Sequence, residues 1–170
     1  DVYAYNGGLF QPNEILDTLR ERIAGSLNRA DDEFETMDGM DMSVLTIDKS
    51  NSKIYFSGAF NSLYLIRNEV LQIVEADKMP VAFYQKMDPF TLHSLELVKG
   101  DSFYIFTDGF IDQFGGPKGK KFLNKQLKEV ILTINHLPMA EQHAQISQSF
   151  AEWKGNYFQV DDILMIGLKI

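Results

Sequence analysis

The sequence predicts an α+β domain, and three observations carry the prediction. An amphipathic helical pattern opens the readable part of the chain, and a run of short β-rich segments separated by turns fills its middle. Two further helical stripes then precede one last apolar segment. Strands linked in sequence by hairpins favour antiparallel pairing, with helices outside the sheet, over a series of βαβ units.

Residues 1–10 carry no clear period, and Gly7 with Gly8 marks a turn or an arm. From Pro12 onward Leu16, Leu19, Ile23 and Leu27 share one helical face, and Pro12 and Asn13 are start signals, so a helix is predicted over 12–29. Strands are expected at 42–47, 53–57, 62–66 and 70–74, broken by turns at 49–52, by Gly58 and by 67–69. This spacing reads as a β-meander. Pro80 and Pro89 make 76–92 an irregular crossing. Residues 93–97 alternate and read as a half-buried strand. Ser102–Phe106 is almost wholly apolar, the pattern of a central strand covered on both faces. Leu123, Leu127, Val130, Ile131 and Ile134 form one helical stripe, and Met139, His143, Ile146, Phe150 and Trp153 another, ended by Gly155. A final strand is predicted over 163–170, entered through Asp161 and Asp162. No repeat or linker interrupts the chain, so residues 1–170 are read as one domain.

The chain has 170 residues, a formal net charge of −8, 45% apolar residues and no cysteine. Abundant, evenly spread apolar residues exclude a disordered chain, and the missing cysteines exclude a disulfide scaffold or a Cys-based zinc site. No apolar run approaches the ~18 residues that span a bilayer, and no signal peptide is visible. The acidic balance argues against nucleic acid, whose backbone selects a basic stripe. Of the 24 acids 14 are Asp, a residue suited to turns, caps and metal sites. Six acids crowd into Asp31–Asp41, and the basic residues gather at Lys118, Lys120, Lys121, Lys125 and Lys128. The acidic run is read as a solvated loop.

Chemistry is sought where acids meet strand ends. Asp108 follows a core strand and is followed by Gly109, where the backbone can turn sharply or approach a ligand; Asp108 therefore caps a turn or binds a cation. Asp161 and Asp162 point to opposite faces of an extended chain, so one of them faces a given site. If the strand ending at Asp108 and the strand starting at Asp161 are antiparallel neighbours, their acids share one sheet edge. Hard oxygen ligands gathered there suit Mg²⁺ or Mn²⁺; the plainer reading is two strand-boundary caps. Asp38-Gly39-Met40-Asp41 repeats the pattern before a strand, where an acidic turn is the favoured reading. The histidines are weak candidates, His143 being read as a packed core residue. The Gly- and Lys-rich loop 115–121 has the composition of a phosphate cradle without the Walker A spacing.

The segments Asp38–Ser43, Thr107–Gly116 and Gln159–Leu164, with Phe56–Tyr64 and Phe150–Gly155, resemble the sporulation stage II E (SpoIIE)-like serine/threonine phosphatases. These belong to the metal-dependent PPM (type 2C) superfamily. The likeness runs from about Pro12 to Ile170 and is strongest to the branch found as C-terminal output domains of bacterial sensor proteins. It implies an α-β-β-α sandwich of antiparallel sheets flanked by helices. It further implies two Mn²⁺ or Mg²⁺ ions at one sheet edge and attack of metal-activated water on phosphoserine or phosphothreonine, with no catalytic side chain beyond that water. Carried over by motif, Asp108 and Asp161 are the metal ligands. Gly109, Asp162, Asp38 and Asp41 are weaker candidates, and Lys118, Lys120 and Lys121 are candidates for contact with the substrate protein.

The implied substrate is a phosphorylated signalling protein of the anti-sigma-factor antagonist type. An upstream sensor domain in the parent protein and a cytoplasmic location are implied too, with no nucleic-acid or membrane contact by this domain. The family's Asp-x-x-Gly-His-Gly segment, whose Asp bridges the metals, is absent from this chain, as are the first strands and first helix. Either the chain is the later part of a longer domain and inactive alone, or it is a degenerate, non-catalytic module that binds a signalling partner. Either way an unpaired sheet edge is expected to favour a homodimer.

Overall fold

The computed structural model describes residues 10–27, 39–84 and 87–170. In chain order the elements are α1 (Pro12–Leu27), β1 (Met42–Asp48), β2 (Lys53–Ala59), β3 (Leu63–Arg67), β4 (Val70–Val74), β5 (His93–Glu96), β6 (Ser102–Phe106), α2 (Gly109–Asp112), β7 (Phe114–Gly115), β8 (Lys120–Lys121), α3 (Leu123–Ile134), α4 (Met139–Lys154) and β9 (Met165–Lys169). They fall into two compact units, residues 1–60 with 75–97 and residues 61–74 with 98–170. The acidic run from Asp31 to Asp38, and the last two residues predicted for the first helix, lie outside the described residues.

In the first unit β1, β2 and β5 form an antiparallel sheet in the order β1-β2-β5. The helical spacing puts Leu16, Leu19 and Ile23 on the face of α1 that packs with Ala59, Met79, Val81 and Phe90. Leu16 is fully buried, which contributes roughly 1.5–3 kcal/mol. Arg20 lies on this helix and is itself buried. Its guanidinium donates to Asp17 Oδ1 at 2.6 Å and to the Asp88 carbonyl at 2.9 Å, 4.7 Å above the centre of the Phe90 ring. Pairing of this kind is what lets a guanidinium enter a core.

Asp48 closes the β1–β2 turn. Its Oδ1 accepts the Ser50 N–H (3.0 Å), the Ser50 hydroxyl (2.6 Å) and the Asn51 N–H (3.1 Å), and its Oδ2 accepts the Asn51 side-chain amide (2.7 Å). These bonds, led by the Ser50 hydroxyl, favour the ionised form and hold the carboxyl below the ordinary aspartate range. A folded-state pKa below the unfolded one gives stability that is full above the unfolded value of about 3.9 and is lost as pH falls through the folded value. Exchange of the Asn51 amide is therefore expected to be faster in Asp48→Asn than in the wild type near neutrality. The two proteins should converge once pH falls below the folded-state value, and a difference that persists in strong acid would contradict the turn's dependence on this carboxylate.

In the second unit β4, β3, β6 and β9 pair antiparallel in that order. Asn68 and Glu69 both have positive φ, 51° and 63°, as a two-residue hairpin turn demands. Helices α3 and α4 cover one face: Tyr64, Ile66 and Tyr104 of the sheet meet Leu127, Ile131, Ile134 and Ile146 of the helices. The Tyr104 hydroxyl donates to Gln142 Oε1 at 2.5 Å, and the Gln142 amide donates to the carbonyls of Asn135 and Leu137. Burial pushes the Tyr104 phenol up from its ordinary value. Behind the β3–β4 turn, Arg67 grips the buried Asp101 with both arms of its fork, Nε to Oδ1 at 2.9 Å and Nη2 to Oδ2 at 2.6 Å.

Several sequence expectations are corrected. Gly58 does not end its strand. It pairs with Ser43, and β2 runs on to Ala59. The middle of the chain is two hairpins, β1–β2 and β3–β4, rather than one meander. The edge at the end of β2 is taken by Asp77, whose N–H donates to the Gly58 carbonyl and whose carbonyl accepts the Phe60 N–H. His143 is exposed, and its neighbour Gln142 is the buried polar residue of α4. Leu123, placed on the core stripe by spacing, is 54% exposed at the start of α3 with φ of +69°.

Candidate metal centre

The conditional drawn from the sequence is met: β6, which runs into Asp108, and β9, which follows Asp161, are antiparallel neighbours. The ladder ends at Phe106 opposite Met165, and three further hydrogen bonds extend it toward the acids. The Thr107 N–H donates to the Leu164 carbonyl, the Thr107 hydroxyl donates to the Asp162 carbonyl, and the Leu164 N–H donates to Thr107 Oγ1, each at 3.0 Å.

Gly109 makes the closest approach. A Cβ on it would lie 2.4 Å from the Asp162 carbonyl oxygen and 3.3 Å from the Asp161 Cβ. Glycine is therefore required here by space, since no positive φ is involved. The segments 107–109 and 161–164 are thus brought together at one end of the second unit's sheet.

Asp108 occupies the N-cap position of the short helix α2, yet its side chain makes no cap bond. The Asp112 N–H instead reaches the Asp108 main-chain carbonyl at 2.9 Å. The capping alternative thus has no hydrogen bond behind it, and the carboxylate is exposed. Asp161 and Asp162 are exposed as well. Asp161 Oδ1 accepts the Asp162 N–H at 2.7 Å, and the Gln159 amide donates to the Asp161 carbonyl at 2.8 Å. Asp162 is engaged through its main-chain carbonyl, at the entry to β9. Asp41 precedes β1 in the first unit and is exposed; Asp38 lies outside the described residues.

The structure thus brings Asp108 and Asp161 to the same end of the sheet, each with an exposed carboxylate, the hard oxygen donor that a divalent cation takes. Among the described residues no three His, Cys, Asp or Glu side chains form a metal-holding group.

The Gly- and Lys-rich loop is a folded hairpin, β7 with β8, docked on the end of α4. A Cβ on Gly115 would lie 1.9 Å from the Trp153 carbonyl oxygen, and the Gly116 N–H donates to that oxygen at 2.7 Å. These glycines serve packing, and the Gly116 N–H is not available to an anion. Gln113, fully buried, donates to the carbonyls of Phe114 and Phe158, and its own carbonyl accepts the Trp153 indole N–H. The hairpin is therefore held at both ends. Lys121 reaches Asp112 of α2 at 2.8 Å, while Lys118 and Lys120 project into solvent. Sequence reasoning missed α2, one turn long, and the two-residue strands, because none repeats its pattern beyond about one period.

Comparison with known proteins adds the family. A comparison with curated proteins gives no significant match. Among solved structures, the SiaA-PP2C domain of Pseudomonas aeruginosa is similar with a TM-score of 0.83 and 24% identity, over 94% of this chain and 61% of that one. The PP2C phosphatase domain of SpoIIE from Bacillus subtilis, with a fragment of its regulatory domain, aligns at TM-score 0.63 and 15% identity, over 92% of this chain and 49% of that one. A Mn-presoaked structure of the Bacillus subtilis SpoIIE phosphatase domain aligns at TM-score 0.56 and 14% identity, over 100% of this chain and 76% of that one. These likenesses show the fold, the PP2C type expected from the sequence. The chain spans about three-fifths of the first of these structures and half of the second. The family model for stage II sporulation protein E matches residues 5–170, nearly the whole chain, and the chain belongs to the SpoIIE family.

Proposed function

We propose that this chain is the catalytic part of a metal-dependent protein phosphatase that removes phosphate from phosphoserine or phosphothreonine. Its substrate is a signalling partner of the anti-sigma-factor antagonist type. The observation that carries the reading is the pairing of β6 with β9, which brings the Asp108 and Asp161 segments to one end of the sheet, with the Asp108 carboxylate making no cap bond to α2. Bound Mn²⁺ or Mg²⁺ supplies Lewis acidity toward a phosphoryl group and lowers the pKa of water. Asp108 and Asp161 hold the cation. Asp112 steadies Lys121 on the hairpin. Lys118 and Lys120 put positive charge on an otherwise acidic protein, where a phosphorylated partner is drawn in. Activity is assigned to the parent protein, in which a sensor domain governs this one, in the cytoplasm. No helix among the described residues is long and apolar enough to cross a membrane.

A second reading, a non-catalytic module that binds a signalling partner, is favoured by one observation: the described residues offer no third metal-ligating side chain beside the pair. Phosphate release from a phosphoserine protein by the parent protein decides between them. The enzyme reading expects Mn²⁺-dependent release that falls about 100-fold or more in Asp108→Asn, the scale of losing one preorganised electrostatic contact. Absence of release by the wild type, with retained partner binding, supports the module.

A further inference from the structure

We infer that Thr107 is a positioning residue for the acid pair: its hydroxyl fastens the Asp161–Asp162 segment beside Asp108. The inference rests on the reading of Asp108 and Asp161 as cation ligands and deepens it. In an antiparallel ladder a hydrogen-bonded pair exchanges main-chain bonds in both directions, and the β6–β9 register carried one step past Phe106 and Met165 sets Thr107 opposite Leu164. At Thr107 and Leu164 only one main-chain bond remains, Thr107 N–H to the Leu164 carbonyl. The chain turns into α2 at the next residues, and the return bond from the Leu164 N–H goes to the Thr107 hydroxyl instead, at 3.0 Å.

The same hydroxyl spends its proton on the Asp162 carbonyl at 3.0 Å. One oxygen therefore pins the chain on both sides of Ile163. It does so at the strand entry that presents Asp161, one residue before the Asp108 carboxylate. Without the hydroxyl, the Leu164 N–H and the Asp162 carbonyl lose their protein partner together, and nothing in the ladder replaces it. Serine can make both bonds; valine keeps the β-branched shape and makes neither.

The test uses the ¹⁵N-labelled chain. In Thr107→Val the Leu164 amide is expected to exchange about tenfold faster, and the Mn²⁺ concentration that half-broadens the Asp161 amide to rise about tenfold, the ratio carried by one ordinary hydrogen bond. Thr107→Ser restores both. A Thr107→Val protein with faster exchange at Leu164 and wild-type Mn²⁺ dependence would overturn the positioning role. If Thr107→Val does not fold, the wild type alone decides. By linkage, saturating Mg²⁺ must slow Leu164 exchange if the clamp and the cation are coupled, and unchanged exchange overturns the inference. Failure of the underlying reading looks different: Mn²⁺ then broadens neither Asp108 nor Asp161 in the wild type, while the exchange contrast between Val and Ser persists.

Discussion

Gly109→Ala is expected to cost about 10–100-fold in divalent-cation affinity, the range seen when support around a ligand is disturbed. The added Cβ meets the Asp162 carbonyl oxygen at 2.4 Å and the Asp162 carbonyl carbon at 3.1 Å. Both are main-chain atoms, so no rotamer change relieves the overlap. Either α2 moves out or the Asp161–Asp162 segment does, and each movement separates Asp161 from Asp108. Overpacking of this kind also destabilises by roughly 1–3 kcal/mol. Mn²⁺ titration alongside chemical denaturation checks both effects. An alanine variant with wild-type affinity would show that the two segments do not need this approach.

Arg67→Ala is expected to have the largest effect on stability, a loss of about 3–5 kcal/mol, because it strands a buried carboxylate. Asp101 is 1% exposed; besides the two bonds from Arg67 its carboxylate accepts a longer one, from the Val98 N–H at 3.2 Å. The loss is a large share of the ~5–15 kcal/mol that holds an ordinary domain together. Arg67→Lys should fall short of rescue, since an ammonium cannot make the two-armed contact. Replacing both partners, as in Arg67→Met with Asp101→Leu, should recover most of the loss, because no unpaired charge is left. Urea midpoints for the four proteins measure this. A double variant no better than Arg67→Ala would contradict the assignment of the loss to the stranded carboxylate.

The helix at Pro12, the strand at Ser102–Phe106 and the stop at Gly155 were legible because each is set by a local rule: a 3.6-residue stripe, a two-sided apolar run and a glycine with φ of +50°. What escaped was decided at a distance. The hand-over from β2 to Asp77 depends on a segment far along the chain that reads as irregular crossing. Gln142 is buried in place of His143 because Tyr104 and two loop carbonyls offer it partners, which spacing on α4 cannot reveal. At the site, the acids Asp108 and Asp161 and the glycine between their segments were legible as residue types at strand ends. The Thr107 hydroxyl linking them was not, because threonine at a strand end is ordinary until its acceptor is known. Likewise the loop 115–121 read by composition as a phosphate cradle, and only the position of Trp153 shows that Gly115 and Gly116 serve packing.

The central claim is that Asp108 and Asp161 together hold a divalent cation. Paramagnetic broadening by Mn²⁺, mapped over the amides of the chain, tests it most directly. Broadening centred on Asp108, Gly109, Asp161 and Asp162, abolished in Asp108→Asn and in Asp161→Asn and competed away by Mg²⁺, is the predicted result. Broadening spread over the acidic surface at large, or centred elsewhere and unchanged in both variants, would contradict it.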